Sequence, residues 1–273
     1  MESCTVFANT ARNDCTNCVG YTSSGLVSDN YTMVAVPFVH VNNDGKGVML
    51  NSGDISITNP SKSDFVGAAD QIWIWKPETG GYDIFYFYTD PSWGTGWALN
   101  DPEREDPFFE DCEEYANGLP EGSGIYFKAQ EAEVGAPKAF VSNGAIEGAD
   151  EKEVDVVSDN FAIIANPFPV AWMLNDADAV EYVNPTKNDF VGAADQMWIW
   201  KPETGGYDIF YFYTDPSWGT GWALNDPERE DPFFEDCPEY ADGIPVGSSF
   251  YFKAQAFDQA NQKSVVFKTP IVK

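Results

Sequence analysis

The sequence predicts an all-β protein with two tandem homologous domains, each a β-sandwich or small β-barrel, behind an N-terminal arm that contains cysteines. Three observations predict this: an internal repeat, a series of short alternating strands, and a composition that suits a folded core. Hydrophobic residues make up 43% and aromatic residues 15% of the 273-residue chain, which is too rich for a disordered acidic segment. The chain shows no long amphipathic helix pattern, so an α/β enzyme fold is not expected.

The internal repeat is the strongest of the three observations. Residues 59–130 match residues 184–255 at an offset of 125, with nine differences in 72 positions. The similarity continues more weakly outward, since LVSDNYTMVAVPF at 26–38 resembles VVSDNFAIIANPF at 156–168. The repeat therefore divides the chain into two units of ordinary domain size. The predicted segments are an arm at 1–21, a first domain at 22–148 and a second at 149–273, of which 149–155 is a charged linker.

Strand patterns dominate each unit. In QIWIWKPETGGYDIFYFYTD, apolar and aromatic residues alternate on both sides of KPETGG, which predicts a hairpin with a six-residue loop. Both faces of this hairpin are too apolar to be half-exposed, so we expect its two strands to lie in the centre of a sheet. Only DFVGAADQ indicates a helical turn. Further strands are predicted at 31–36, 55–57, 97–99, 124–129 and 138–142.

The charge balance excludes some partners. The formal net charge is −29, from 44 acidic against 15 basic residues, so nucleic acid and anionic membrane surfaces are not expected as partners. The sequence contains no apolar run of 18 residues that would span a bilayer. No signal peptide follows Met1, and the cysteines and composition indicate a mature sequence whose leader has been removed. We therefore expect an extracellular or cell-surface location.

An acidic loop occurs in both repeats as NDPEREDPFFEDC. Oxygen ligands at this density suit Ca²⁺, the one cofactor considered, although the spacing fits no EF-hand. A solvated acidic loop without metal is the alternative. The acids are too many and too close in sequence to single out a glycosidase pair. The candidate ligands are Asp101, Glu103, Glu105, Asp106, Asp226, Glu228, Glu230 and Asp231.

Histidine usage argues against an enzyme. The chain has one histidine, His40, and Val170 occupies the corresponding place in the second repeat. A duplicated site therefore cannot use imidazole as an acid or base. No catalytic residue is predicted.

Tryptophans on a glycine-rich loop offer a candidate contact surface. The segment SWGTGW occurs in both repeats, and its flat rings would stack on sugars or dock against a protein. Core filling is the alternative, and it is the favoured interpretation for Trp73, Trp75 and the tyrosine run that follows. The candidate contact residues are Trp93, Trp97, Trp218 and Trp222.

The five cysteines predict contacts between segments. Cys4, Cys15 and Cys18 lie in the arm, whereas each repeat has one cysteine, Cys112 or Cys237, and cannot close its own disulfide. If the arm bridges to Cys112 of its own chain, the same loop around Cys237 would accept the arm of the next chain. Such a contact is head-to-tail and propagates as a filament. A CysThrAsnCys redox or metal pair in the arm is the alternative.

The order VPF, ADQIWIWKPETGGYDIFYFY, a Trp-Gly-rich loop and GLPEGSGIYFKA is similar to a repeat in uncharacterised proteins that environmental bacteria secrete or display. The resemblance covers nearly the whole chain apart from the arm and implies an exported, β-rich surface protein without known catalytic residues. The sequence thus predicts a non-enzymatic assembly subunit of a filament or surface layer that self-associates through the arm. The alternative is an adhesin, a tandem module that binds a glycan or a protein.

Overall fold

The fold is all-β, as the sequence predicts. The computed structural model describes residues 19–40, 45–105, 107–131, 136–145, 151–168, 170–229 and 232–268. Within these ranges the helical segments are three-residue 3-10 turns. None of the helices in the described ranges has the length and hydrophobicity that crossing a bilayer requires.

Sixteen strands lie in the described residues, eight in each repeat. Repeat one contains β1 (Val19–Gly25), β2 (Tyr31–Val36), β3 (Ile55–Ile57), β4 (Gln71–Lys76), β5 (Gly81–Asp90), β6 (Gly94–Leu99), β7 (Ser123–Lys128) and β8 (Ala139–Ala145). Repeat two contains β9 (Glu151–Asp155), β10 (Phe161–Ala165), β11 (Val180–Val183), β12 (Gln196–Lys201), β13 (Gly206–Asp215), β14 (Gly219–Leu224), β15 (Ser249–Lys253) and β16 (Ser264–Lys268). The 3-10 turns are Val66–Ala68, Phe109–Asp111, Glu113–Tyr115, Val191–Ala193, Phe234–Asp236, Pro238–Tyr240 and Gln259–Asn261.

Some predicted boundaries differ from the observed ones. Strands β2 and β3 have the predicted bounds, and β4 and β5 are interior strands. The hairpin loop is shorter than predicted, because residues 77–80 alone separate the two strands. The linker prediction was wrong for residues 151–155, which form β9. Residues 19–21, assigned to the arm, are the start of β1, and residues 1–18 lie outside the described ranges.

Each repeat is a sandwich of a larger and a smaller antiparallel sheet. In repeat one the larger sheet runs β2-β7-β4-β5-β6 and the smaller runs β1-β8-β3. Ile72 and Phe85 of the larger sheet and Ile55 of the smaller sheet are buried in one core cluster. The rings of Phe127 and Phe140 meet across the two layers at 5.9 Å. Repeat two repeats this plan around its own core cluster, with sheets β10-β15-β12-β13-β14 and β9-β16-β11.

A buried ion pair ties the two layers together in each repeat. Lys138 Nζ lies 2.6 Å from Asp70 Oδ1, and both side chains are almost fully buried. The carboxylate of Asp70 also accepts hydrogen bonds from the backbone N–H groups of Ser61 and Gln130. The equivalent pair is Lys263 and Asp195, at 2.7 Å. Because removing one partner would leave a buried charge uncompensated, this pair fixes how the sheets sit on each other.

The larger sheets of the two repeats join at two equivalent places. Val34 of β2 pairs with Ser248, and Ile164 of β10 pairs with Ser123 of β7. The neighbouring hydrogen bonds are also equivalent, since Ala35 N donates to the carbonyl of Gly247 at 2.8 Å and Ala165 N to that of Gly122 at 3.0 Å. The two five-stranded sheets are thereby one ten-stranded sheet.

An aromatic layer fills the space between the repeats. The rings of Trp75 and Tyr251 lie 6.4 Å apart, as do those of Tyr126 and Trp200. The hydroxyl of Tyr82 contacts that of Tyr251, and Tyr126 contacts Tyr207 in the same way. Burial raises the pKa of Tyr126 and of Tyr251, so these hydroxyls stay protonated at neutral pH.

Core filling was therefore the wrong interpretation for Trp75, which packs on the partner repeat and is half-buried. Trp73 is also half-buried, on the same face of β4, between Tyr31 and Tyr82 at 5.4 and 5.5 Å. The opposite face of the hairpin, which carries Ile72, points into the core of its own repeat. Two packed faces explain why the hairpin is apolar on both sides.

Polar contacts across the aromatic layer also occur in pairs. Trp75 Nε1 donates to the carbonyl of Phe161 at 2.7 Å, and Trp200 Nε1 donates to the carbonyl of Tyr31 at 2.9 Å. Asn30 Nδ2 donates to the carbonyl of Pro202, and its counterpart does the same in the other direction. The two repeats thus face each other with approximate twofold symmetry.

Candidate functional site

A cleft with aromatic walls lies at the β5–β6 end of repeat one and recurs in repeat two. Its volume is about 410 Å³ in repeat one and about 300 Å³ in repeat two. The walls combine the end of one strand, the turn after it, and the acidic loop. The aromatic and proline lining residues are Tyr86, Tyr88, Trp93, Pro102, Pro107 and Phe108, and their counterparts include Tyr211, Tyr213, Trp218, Pro227 and Pro232.

Trp93 stands on a tight turn at the edge of the cleft. Its indole is 62% exposed, although large apolar side chains are usually buried. The carboxylate of Asp90 accepts hydrogen bonds from the backbone N–H of Ser92 at 2.7 Å and of Trp93 at 3.2 Å, which closes the turn. Gly94 follows with φ +101°, a conformation that favours glycine. The ring is therefore held out toward solvent by a defined backbone.

The second repeat holds Trp218 in the same way. Asp215 Oδ1 accepts from Ser217 N at 2.7 Å and from Trp218 N at 3.2 Å, and Gly219 has φ +104°. The exposed fraction of Trp218 is 61%. The positions of Trp93 and Trp218 are thus compatible with the prediction that the first tryptophan of each SWGTGW segment contacts a ligand.

The floor of the cleft is made of rings in edge-to-face contact. The centroids of Tyr86 and Tyr88 are 5.8 Å apart, and Tyr88 lies 6.1 Å from Phe108. Burial raises the pKa of Tyr86, and the charges of Tyr88 and Asp64 raise it further. The hydroxyls therefore remain protonated at neutral pH and can donate hydrogen bonds.

The acidic loop supplies the polar rim. Arg104 Nη2 lies 2.7 Å from Glu114 Oε1, and Arg104 Nε lies 4.0 Å from Asp101 Oδ2. Asp101 also accepts a hydrogen bond from the backbone N–H of Glu103 at 3.0 Å. The equivalent contacts of Arg229 in repeat two have the same lengths. The sequence predicts that Ca²⁺ would reduce the repulsion among the acidic side chains of this loop. In the structure, Arg104 and Arg229 offset part of that repulsion.

The described part of the acidic loops brings no three acidic, histidine or cysteine side chains together around a metal position. Asp101 and Asp226 are engaged with arginine and backbone, and the side chains of Glu103, Glu105 and Glu228 do not converge with them. Asp106, Glu230 and Asp231 lie outside the described residues. The calcium hypothesis gains no support from this geometry.

Trp97 and Trp222 are not contact residues, contrary to the prediction. They are 3% and 0% exposed and belong to the core clusters of their repeats. Trp97 stacks on Phe87 at 5.0 Å, and Trp222 stacks on Phe212 at 5.1 Å. The reason is strand alternation, because the second tryptophan of each SWGTGW segment lies within β6 or β14 and points inward.

Cys112 and Cys237 are also buried, which contradicts their predicted role in assembly. Both are free thiols with 0% exposure inside the core clusters. A bridge to an arm would require the sulfur to leave the core, where the Cys112 thiol lies 3.4 Å from the carbonyl of Phe108. Repeat two has no arm of its own, yet Cys237 is buried to the same extent. Cys4, Cys15 and Cys18 lie outside the described residues.

His40 forms a buried pair in repeat one. Its Nδ1 lies 2.6 Å from Asp54 Oδ2, and the same carboxylate oxygen accepts a hydrogen bond from Met49 N at 3.0 Å. Neither His40 nor Asp54 is among the residues that line the cleft. The pair holds the loop that is longer in repeat one.

Sequence reasoning missed most of the cleft wall. Tyr86 and Tyr88 share one strand face, but Phe108 comes from a loop twenty residues later in the chain. Because Ala98 forms a bridge with Phe108, the acidic loop folds back along β6 and closes the cleft. The identical PFF segment in both repeats was the available signal.

Comparison with known proteins finds no matching family model, no matching curated protein and no matching solved structure. The resemblance to repeats of secreted bacterial proteins stays an expectation.

Proposed function

We propose that this chain is a non-enzymatic, two-site glycan-binding protein that recognises neutral polysaccharides through the Trp93 cleft and its Trp218 counterpart. The observation that supports this most is an exposed indole on a rigid turn, beside tyrosines and a polar rim, present twice. Indole and phenol rings stack on the apolar faces of sugar rings, while the rim offers hydrogen bonds to hydroxyl groups. Such a protein acts outside the cell or on its surface.

Neutral glycans fit the charge of the site better than acidic ones. The net charge of the chain is −29, and Asp101 and Glu105 line the cleft of repeat one. Arg104, the one basic side chain in this lining, is already paired with Glu114. A uronate or sulfate group would therefore meet net repulsion, whereas a neutral hydroxyl would not.

Two sites on one chain favour a repetitive ligand. The clefts lie beside β6 and β14, which are the opposite ends of the ten-stranded sheet in strand order. Two such sites raise the apparent affinity for a polymer well above that of one site when both engage the same chain. They also allow one protein molecule to link two polysaccharide chains.

The filament hypothesis depends on a disulfide between the arm and Cys112 or Cys237. Burial of both cysteines disfavours this disulfide. The binding hypothesis, which the sequence offered as the alternative, rests on Trp93 and Trp218, whose exposure fits it. For this reason we place binding first.

Affinity gel electrophoresis tests the proposal. Soluble neutral polysaccharides (a β-glucan, a galactomannan, a xylan and starch) and anionic alginate are cast into native gels. We expect at least one neutral polymer to retard the chain, alginate to have no effect, and Trp93→Ala plus Trp218→Ala to abolish the retardation. The matched control is Phe65→Ala plus Phe190→Ala, since these rings are 65% exposed but lie outside the clefts. Loss of retardation in the control as well would contradict a cleft-specific site.

A further inference from the structure

The contact between the repeats has the form of a docking interface rather than a shared core. Each core cluster contains residues of one repeat alone. The contacts between them include one strand pairing and the aromatic layer, each present in two equivalent copies, and an ion pair between Glu121 and Lys152. Along the chain, residues 146–150 connect β8 to β9. Each repeat could therefore keep its core while it exchanged its partner.

Two of the nine sequence differences between the matched segments lie at this interface. The first is Gly124, whose counterpart is Ser249. A Cβ atom on Gly124 would lie 2.4 Å from Ile163 Cγ2 and 2.6 Å from Ser249 Cβ, so this position has no space for a side chain while Ile163 and Ser249 of the other repeat face it. By the twofold symmetry, two copies of repeat two would place two serines in this space.

The second difference is Glu121, whose counterpart is Val246. The side chain of Glu121 is 3% exposed, and its Oε2 lies 2.7 Å from Lys152 Nζ of the other repeat. Thr22 occupies the position equivalent to Lys152, close to Gly247. Two copies of repeat one would therefore bury Glu121 without this lysine, which is costly for a carboxylate. When repeat one pairs with repeat two, Gly124 leaves space for Ser249 and Lys152 neutralises Glu121.

We propose that the inter-repeat face is a heterotypic docking surface, and that it can be satisfied by repeat two of a second copy of this chain in place of the chain's own. Repeat one of one molecule then pairs with repeat two of the next. Exchange of identical contacts between copies is a low-cost route to oligomers. It would give the head-to-tail contact that the cysteines do not provide, and it would multiply the clefts available to a polymer.

Variants with one added cysteine test this without altering either cleft. Val34 and Ser248 are antiparallel bridge partners across the interface, and such partners have Cα atoms about 4.5 to 5.5 Å apart, within the range of a disulfide. Val34→Cys and Ser248→Cys are made in separate full-length chains that also carry Cys4→Ser, Cys15→Ser and Cys18→Ser. The chains are mixed, unfolded, refolded at increasing protein concentration, oxidised and run on non-reducing denaturing gels.

We expect a covalent two-chain species from the mixture that increases with protein concentration during refolding. Neither variant alone should give it, because Val34 faces Ser248 and not its own copy. A single chain with both substitutions should close an internal disulfide at low concentration. The proposal is overturned if the mixture gives no covalent dimer while the double variant closes, or if the double variant fails to close, since the two faces then do not meet. Neither outcome depends on glycan binding.

Discussion

At the scale of single residues, burial decides what the cysteines can do. Desolvation in the core raises the pKa of Cys112 and of Cys237 from 9.0 to about 11. The thiol is therefore protonated at neutral pH and a poor nucleophile. Because the folded-state pKa is raised, the buried thiols stabilise the fold only while the unfolded chain keeps them protonated. Their contribution to the free energy of unfolding is fully present below about pH 9 and is lost as the pH rises toward 11.

Thiol labelling follows directly from this burial. In a Cys4→Ser, Cys15→Ser, Cys18→Ser chain, we expect iodoacetamide at pH 8 to leave Cys112 and Cys237 unmodified. Intact-mass spectrometry should show no added group under native conditions and two in denaturant. Rapid modification of either thiol in the folded chain would show that the sulfurs are accessible, and it would restore the predicted arm disulfide as a mechanism of assembly.

At the scale of single elements, Gly124, the second residue of β7, packs against Ser249, the first residue of β15, and Gly124 has no space for a side chain. We expect Gly124→Ser to reduce the free energy of unfolding by about 1–3 kcal/mol, because its Cβ would overlap Ile163 and Ser249. Urea unfolding followed by circular dichroism gives this value.

Ser249→Gly is the matched variant at the equivalent position. Alone it removes a small buried group and should have a smaller effect. Combined with Gly124→Ser, it removes the overlap with Ser249 but not the overlap with Ile163, so it should recover part of the lost stability. A double variant that is as unstable as Gly124→Ser alone would argue against the twofold arrangement of the repeats.

The sequence predicted the elements whose signals are local. Strands β2 and β3 have clear turn residues on both sides, and their predicted bounds match the structure. Strand β9 reads as EKEVD, and its charges made it look like a linker. Its pairing with β16, more than a hundred residues away, is what makes it a strand, and a local pattern carries no such information.

The same limit applies to the site. The exposure of Trp93 followed from its place on a Gly-rich loop, whereas the burial of Trp97 depended on the exact start of β6 at Gly94. The cleft itself arises from a strand and a loop that meet only after folding. Sequence reasoning therefore found the exposed tryptophan and some acidic rim residues of each cleft but not the tyrosine and proline wall around it.

At the scale of the whole molecule, the aromatic layer makes the two repeats interdependent. Trp75→Phe and Trp200→Phe each remove one indole N–H and leave the carbonyl of Phe161 or Tyr31 without its partner. We expect equal losses of about 1–3 kcal/mol from the two variants, because an unpaired, partly buried carbonyl carries that cost.

Trp93→Phe is the control for these variants, since its indole is exposed and its removal should leave the stability unchanged within error. Urea denaturation of all three chains gives the comparison. Clearly unequal losses for Trp75→Phe and Trp200→Phe would contradict the twofold interface.

The two-cleft arrangement is the central claim for the molecule as a whole, and its most direct test is the binding stoichiometry of a short oligosaccharide. The oligosaccharide is derived from the neutral polysaccharide that retards the chain most strongly, and isothermal titration calorimetry counts the molecules bound. We expect two per native chain, one for Trp93→Ala, one for Trp218→Ala, and none for the double variant. Full binding by the double variant would contradict the assignment of the clefts as the binding sites.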